Sequence, residues 1–140
     1  MNAIDTNIWL YSQDTRDPNK QSLAQQLIAR TRPLALPWQV GCEFIAASRK
    51  LAAAGFTEAH AWTALDAMRV LADVILLPVS DLWPETHALQ SRYSLSFWDA
   101  LLVASCLRGG VSVLYTEDMG SPRVIDTLSL VNPFLVAPTP

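Results

Sequence analysis

Apolar runs of strand length alternate with stretches of helical period along this chain, and no other feature limits the fold as much. Residues 74–79 and 111–115 are near-continuous apolar runs, as expected of strands covered on both faces. Residues 1–4 read as a short first strand. Residues 33–37 hold a brief one between two prolines, and residues 128–131 form a weaker candidate. Between these runs the period changes from two to 3.6. Asp5-Thr6-Asn7 opens a short helix through Ser12, and residues 20–29 carry Leu23, Leu27 and Ile28 on one face. Residues 38–53 place Val40, Phe44, Ala47 and Leu51 in one stripe, which Gly55 ends. Thr57 and Glu58 open a helix to Leu71, Asp81 caps one to Tyr93, and Ser96 caps another over residues 97–108, stopped by Gly109-Gly110. Strands alternating with helices imply a mainly parallel sheet with helices on both faces, an α/β fold of three α/β/α layers. With no repeat, low-complexity stretch or linker, residues 1–140 are expected to form a single domain.

Ligands of open parallel sheets bind beyond the carboxyl ends of the strands, and two of those ends carry acid. Ile4 is followed by Asp5, and Tyr115 by Thr116-Glu117-Asp118. Helix capping alone would explain Asp5. It would not explain why a second strand delivers a carboxylate to the same edge. The helix from Phe97 is apolar almost all round, so it should be largely buried, and Asp99 is the one charge before Arg108. A buried carboxylate needs a cation or strong donors, and a helix dipole supplies only about 0.3–1 kcal/mol at exposed sites. Glu43 falls at the edge of the stripe formed by Val40 and Phe44; alone it reads as a solvated residue, and it gains weight from its company. Four oxygen-donor acids without a Cys/His cluster select hard ions, Mg²⁺ or Mn²⁺ rather than Zn²⁺. The chemistry that suits such a set is hydrolysis of a phosphodiester by water.

Composition narrows the alternatives. Charged residues are 16% of the chain, against roughly 25% in an average domain, and five tryptophans add to the apolar surplus. Some of that surface is expected to meet another protein chain. A net charge of −3 argues against a simple nucleic-acid-binding module and less against a nuclease whose acids a metal neutralises. Cys42 and Cys106 lack a CxxC pattern and read as reduced core residues. No apolar run approaches membrane-spanning length and no signal segment opens the chain, so a cytoplasmic protein is expected. The D-x-D pair of a haloacid-dehalogenase phosphatase is absent, since position 7 is Asn. So are glycine-rich nucleotide loops. His60 and His87 sit singly on helices and read as structural or solvated.

Five segments, taken in order, resemble the PIN-domain family. They are Ile4-Asp5-Thr6-Asn7-Ile8, Cys42-Glu43-Phe44, Ser94-Leu95-Ser96-Phe97-Trp98-Asp99-Ala100-Leu101, Leu114-Tyr115-Thr116-Glu117-Asp118 and Val131-Asn132-Pro133-Phe134. Within that family the chain is most similar to VapC-type toxins of toxin–antitoxin pairs. The resemblance implies a Mg²⁺/Mn²⁺-dependent endoribonuclease acting on structured RNA such as tRNA or rRNA. It also implies a homodimer restrained by a cognate antitoxin. It makes Asp5, Glu43, Asp99 and Asp118 the catalytic and metal-binding quartet, Asn7 and Thr116 supporting polar residues, and Glu117 an acid outside the quartet. Toxin relatives more often carry a polar segment after the last acid, whereas this chain has Met119-Gly120-Ser121-Pro122-Arg123. Two other readings stand beside this one: a PIN-fold RNA-processing nuclease without an antitoxin, and a catalytically silent PIN-fold binding module.

Overall fold

A computed structural model describes residues 1–135; the last five residues of the expected domain lie outside it. The elements run β1 (Asn2–Ile4), α1 (Thr6–Tyr11), α2 (Pro18–Arg30), β2 (Leu34–Pro37), α3 (Trp38–Ala47), α4 (Glu58–Leu71), β3 (Val74–Leu76), α5 (Leu82–Tyr93), α6 (Phe97–Arg108), β4 (Val113–Tyr115), β5 (Arg123–Ile125) and β6 (Leu128–Val131). One six-stranded sheet has the order β3-β2-β1-β4-β6-β5, parallel except for the β5–β6 pair. Strands β1 to β3 step outward in one direction, so right-handed crossovers put α1 to α4 on one face. The step from β3 back to β4 reverses direction and puts α5 and α6 on the other face, giving the three layers.

Several boundaries differ from expectation for identifiable reasons. The stripe from Val40 to Leu51 is one buried row, but its last turns tighten into a 3₁₀ stretch, Ser48–Ala54. Gly55 then turns the chain at φ 82°, where a side chain would be strained. In α2 the buried row is Ala24, Leu27 and Ile28, and Leu23 faces solvent. The run at residues 74–79 is not a covered strand. Only Val74–Leu76 pairs, at the sheet's edge, and Leu77 and Val79 are exposed. Asp81 makes no side-chain cap and instead pairs with Arg108 at 3.4 Å. β5 has no counterpart among the expected strands; it folds back on β6 through Asp126, a hairpin residue at φ 52°.

Burial corrects two further expectations, for Cys42 and for Asp99, and divides the tryptophans between core and surface. Cys106 is buried, but Cys42 is exposed. Of the tryptophans only Trp9 is in the core, its indole N–H donating to the Ile4 carbonyl; Trp38, Trp62, Trp83 and Trp98 are exposed. The first turn of α6 lies at the surface, so Asp99 is half-buried rather than enclosed. His60 closes a capping box with Thr57 at the start of α4, a structural role, and His87 is exposed. No helix among the described residues is long and apolar enough to cross a membrane.

Candidate active site

The sheet reverses its winding between β1 and β4, and the crevice at such a reversal is where open α/β sheets bind ligands. Asp5 leaves β1 there, with its backbone N–H on the Tyr115 carbonyl of β4 at 2.9 Å. Its carboxylate is buried and doubly held. One oxygen caps α1 by accepting from the Thr6 N–H at 2.7 Å, and the other accepts from the Thr116 hydroxyl at 2.8 Å. That hydroxyl also accepts the Asp118 N–H at 3.0 Å. Asn7, in the first turn of α1, donates its amide to the Asp118 carboxylate at 3.0 Å. Asp5, Asn7, Thr116 and Asp118 are thus one hydrogen-bonded unit across the reversal. Capping and a place among the acids are not alternatives for Asp5; it does both.

Glu43 comes from the second turn of α3 and Asp99 from the first turn of α6. Gln39, one turn before Glu43, gives its amide to the Glu43 carboxylate at 2.7 Å and to the Trp98 carbonyl at 2.9 Å. Because both partners accept only, the orientation of the Gln39 amide is settled. This residue, which sequence reasoning misses, joins the helix bearing Glu43 to the one bearing Asp99. An i, i+4 pairing with an acid is its only signal. Glu117 is engaged by partners of its own. It accepts from the Tyr11 hydroxyl and from Lys20 at 3.2 Å, with the ammonium 4.4 Å from the Tyr11 ring centre.

The four acids repel one another. Burial drives the Asp5 carboxyl up from 3.8 to about 6, with the charges of Glu43 and Asp118 adding to it. Glu43 is raised by burial and by Asp99, and Asp118 by burial, Glu117 and Asp99. No Lys or Arg pairs with Asp5, Glu43, Asp99 or Asp118 among the described residues. Two buried oxygens beside them, Thr6 Oγ1 and Gln39 Oε1, have no hydrogen-bond partner. Among the described residues no group of three or more acidic, His or Cys side chains stands ready to hold a metal ion. The donor set itself, hard oxygens with uncompensated negative charge, suits a divalent cation.

Burial of these carboxyls, with their repulsion added, has a consequence for the metal-free protein. A carboxyl raised from 3.8 to about 6 is ionised in the folded chain at a cost of about 3 kcal/mol. That cost is absent below the unfolded value and complete once pH has risen past the folded one. Glu43 and Asp118 are raised too, so they act in the same direction. In EDTA the melting temperature should therefore be several degrees higher at pH 5 than at pH 7.5, and Asp5→Asn should flatten most of the difference. A wild-type melting temperature that falls on acidification over this range would show the acids to be compensated.

Known proteins share this fold. A family model described as PIN domain matches residues 3–125. No curated protein matches the chain. Among solved structures, the sarcin–ricin loop cleaving toxin VapC20 of Mycobacterium tuberculosis is 20% identical, with a TM-score of 0.65 over 86% of this chain and 92% of that one. A toxin–antitoxin complex from Klebsiella pneumoniae is 20% identical, with a TM-score of 0.68 over 97% of this chain and all of the other. VapBC2 of Rickettsia felis, bound to a DNA fragment from its promoter, is 14% identical, with a TM-score of 0.63 over 92% and 96%. At these identities the likeness to the three structures is one of fold.

Proposed function

The chain belongs to the PIN-domain family, and from that premise we propose that it is a Mg²⁺- or Mn²⁺-dependent endoribonuclease, the toxin of a VapBC-type pair. The observation that carries the nuclease reading is the set of four carboxylates at the sheet reversal, mutually repelling and without a cationic partner. Asp5, Glu43, Asp99 and Asp118 are the residues that would hold the ion or ions. The chemistry that a divalent ion would supply there is a water of lowered pKa and an offset to the negative charge of the phosphate. The protein's own part is orientation. Thr116 aims the Asp5 carboxylate, Asn7 holds Asp118, Gln39 holds Glu43, and the Ser96 cap fixes the turn that presents Asp99. Lys20 and Tyr11 hold the Glu117 carboxylate, a fifth acid close enough to raise Asp118.

RNA as substrate, structured RNA such as tRNA or rRNA, is supported by the similarity to a toxin that cleaves the sarcin–ricin loop. A cognate antitoxin is supported by two neighbours found as toxin–antitoxin assemblies. The cytoplasm, where such RNA resides, is the proposed compartment. For protein partners, a homodimer mate and the antitoxin, the exposed apolar side chains are the guide. α2 shows only Leu23, whereas α4 shows Trp62, Val70 and Leu71, and the β3 edge continues into Leu77, Val79 and Trp83. The part of this surface where Trp62 and Leu65, one helical turn apart on α4, line a groove with Ile75 and Leu77 is proposed as the protein interface, suited to groove-and-helix packing.

Light scattering at micromolar concentration should find a dimer, and that fraction, given Mn²⁺ and folded tRNA or rRNA, should yield a few discrete fragments. Intact RNA at high enzyme concentration, with the antitoxin removed, would favour a silent binding module; a clean monomer would remove the dimer.

A further inference from the structure

Two of the exposed tryptophans stand beside the acids. Trp38 is the first residue of α3 and Trp98 the second of α6, so both sit in opening turns, as Asp99 does. They are 53% and 62% exposed, unusual for the largest apolar side chain. The Gln39 amide that holds Glu43 also holds the Trp98 carbonyl, and Gln39 is the chain neighbour of Trp38. One side chain therefore ties the opening turns of both helices, and with them the backbones of both tryptophans, to Glu43. Between them runs a groove of about 470 Å³, with Trp38, Trp98, Cys42, Leu101 and Glu43 in its lining. Its size lies at the small end of ligand pockets, roughly 300–1,000 Å³. Phe97 packs edge-on against Trp98, with ring centres 5.0 Å apart, and braces it from behind.

Charge indicates what this groove can hold. Most Lys and Arg side chains are engaged, by carboxylates or by backbone carbonyls. Arg30, Arg49 and Lys50 alone lack a partner among the described residues. Arg30 ends α2, and the other two lie beyond the far end of α3 from Trp38. Arg69 lines a neighbouring groove that Trp38 also lines and is paired with Asp66 at 3.6 Å, so the positive charge offered to phosphates at this edge is small. Single strands have a second means of attachment, because every base has an aromatic face and stacking needs no charge.

Resting on the ribonuclease reading, we propose that Trp98 and Trp38 form a stacking subsite for an unpaired base of the RNA next to the scissile phosphate. The subsite selects for single-stranded or bulged positions, since a base inside a duplex has no free face to offer. It gives an acidic protein a grip on RNA beside its acids without a basic patch. Trp98 is a substrate-positioning residue here, with no part in proton transfer.

The test uses the full chain, a 12-nucleotide single-stranded RNA and a duplex of the same length. Ca²⁺ serves as the divalent ion, and the RNA is checked to be intact afterwards. Trp98→Ala should weaken single-strand binding roughly tenfold, within the range of base–aromatic stacking, and Trp98→Phe should restore most of it. Removing the base from one nucleotide of the RNA should weaken the wild type and leave Trp98→Ala unmoved, a response that a purely structural residue would not give. Duplex binding should not depend on Trp98. Equal single-strand affinity of wild type and Trp98→Ala would overturn the subsite, more so if the variant had become monomeric or had released a bound antitoxin. Trp98-dependent binding without cleavage in Mn²⁺ would leave the subsite and refute the nuclease. Cleavage indifferent to Trp98→Ala would do the reverse.

Discussion

Asp99→Asn is expected to reduce RNA cleavage by at least about a hundredfold while the metal-free protein melts no lower than wild type. Asparagine keeps the shape, and its place in the first turn of α6 keeps the Ser96 cap on the backbone N–H. What leaves is one negative charge. Removing a group that holds charge in the transition state costs about 10²–10³ in rate, which sets the first number. The second follows from the neighbours. Asp99 raises both Glu43 and Asp118, so removing it relieves repulsion in the apo state. The lost interaction with the helix dipole opposes this by about 0.3–1 kcal/mol, and the two effects leave stability near or above the starting value. Thermal melting in EDTA beside a cleavage assay in Mn²⁺ reads both. A drop of several degrees in the apo melting temperature would make Asp99 a structural acid.

Asp99 also marks how far the amino-acid pattern alone can locate the site. An apolar helix around a single acid suggests burial on all sides, and that expectation fails here. The helix is buried mainly from Ala100 onward, and Phe97 and Trp98 are open to solvent. Composition around a residue reports the average environment of an element and misses its first turn, where the chain emerges at the sheet edge. What singles out Asp99 is its acidic neighbours. Asp5 and Asp118 are legible because a strand end followed by an acid is a local pattern, and strand ends of a parallel sheet share one edge; Asn7 and Thr116 are legible only through the family likeness. Glu43 is legible only through its likeness to a family motif, since an edge Glu on a helix has no local mark.

The features that local pattern does not reveal depend on long-range pairing. Gln39 matters because α3 and α6 begin side by side, a fact of topology and not of the residues around Gln39. The Lys20–Tyr11–Glu117 cluster spans α1, α2 and the loop after β4, and none of its members looks unusual alone. Strand order is equally invisible. Residues 74–79 have the composition of a central strand, yet β3 lies at the edge, and several of these apolar side chains cover the surface instead of filling a core. Four of the five tryptophans behave the same way. Periodicity tells helix from strand and places most boundaries within a few residues. It fails where 3₁₀ and α share a hydrophobic stripe, and at the short β5 hairpin, whose residues carry too little pattern to be seen.

Hydrolysis by water at carboxylate-held divalent ions is tested most directly by the ends of the RNA products. Such a reaction needs no 2′-hydroxyl as nucleophile, and neither His60, committed to capping α4, nor the exposed His87 offers an acid–base pair to replace the metals. End-labelled RNA incubated with the purified protein and Mn²⁺ should be cut to fragments bearing 5′-phosphate and 3′-hydroxyl ends. EDTA should stop the reaction, and excess Mn²⁺ should restore it. Fragments ending in 2′,3′-cyclic phosphate, or cleavage undiminished in EDTA, would contradict the account whatever the fold.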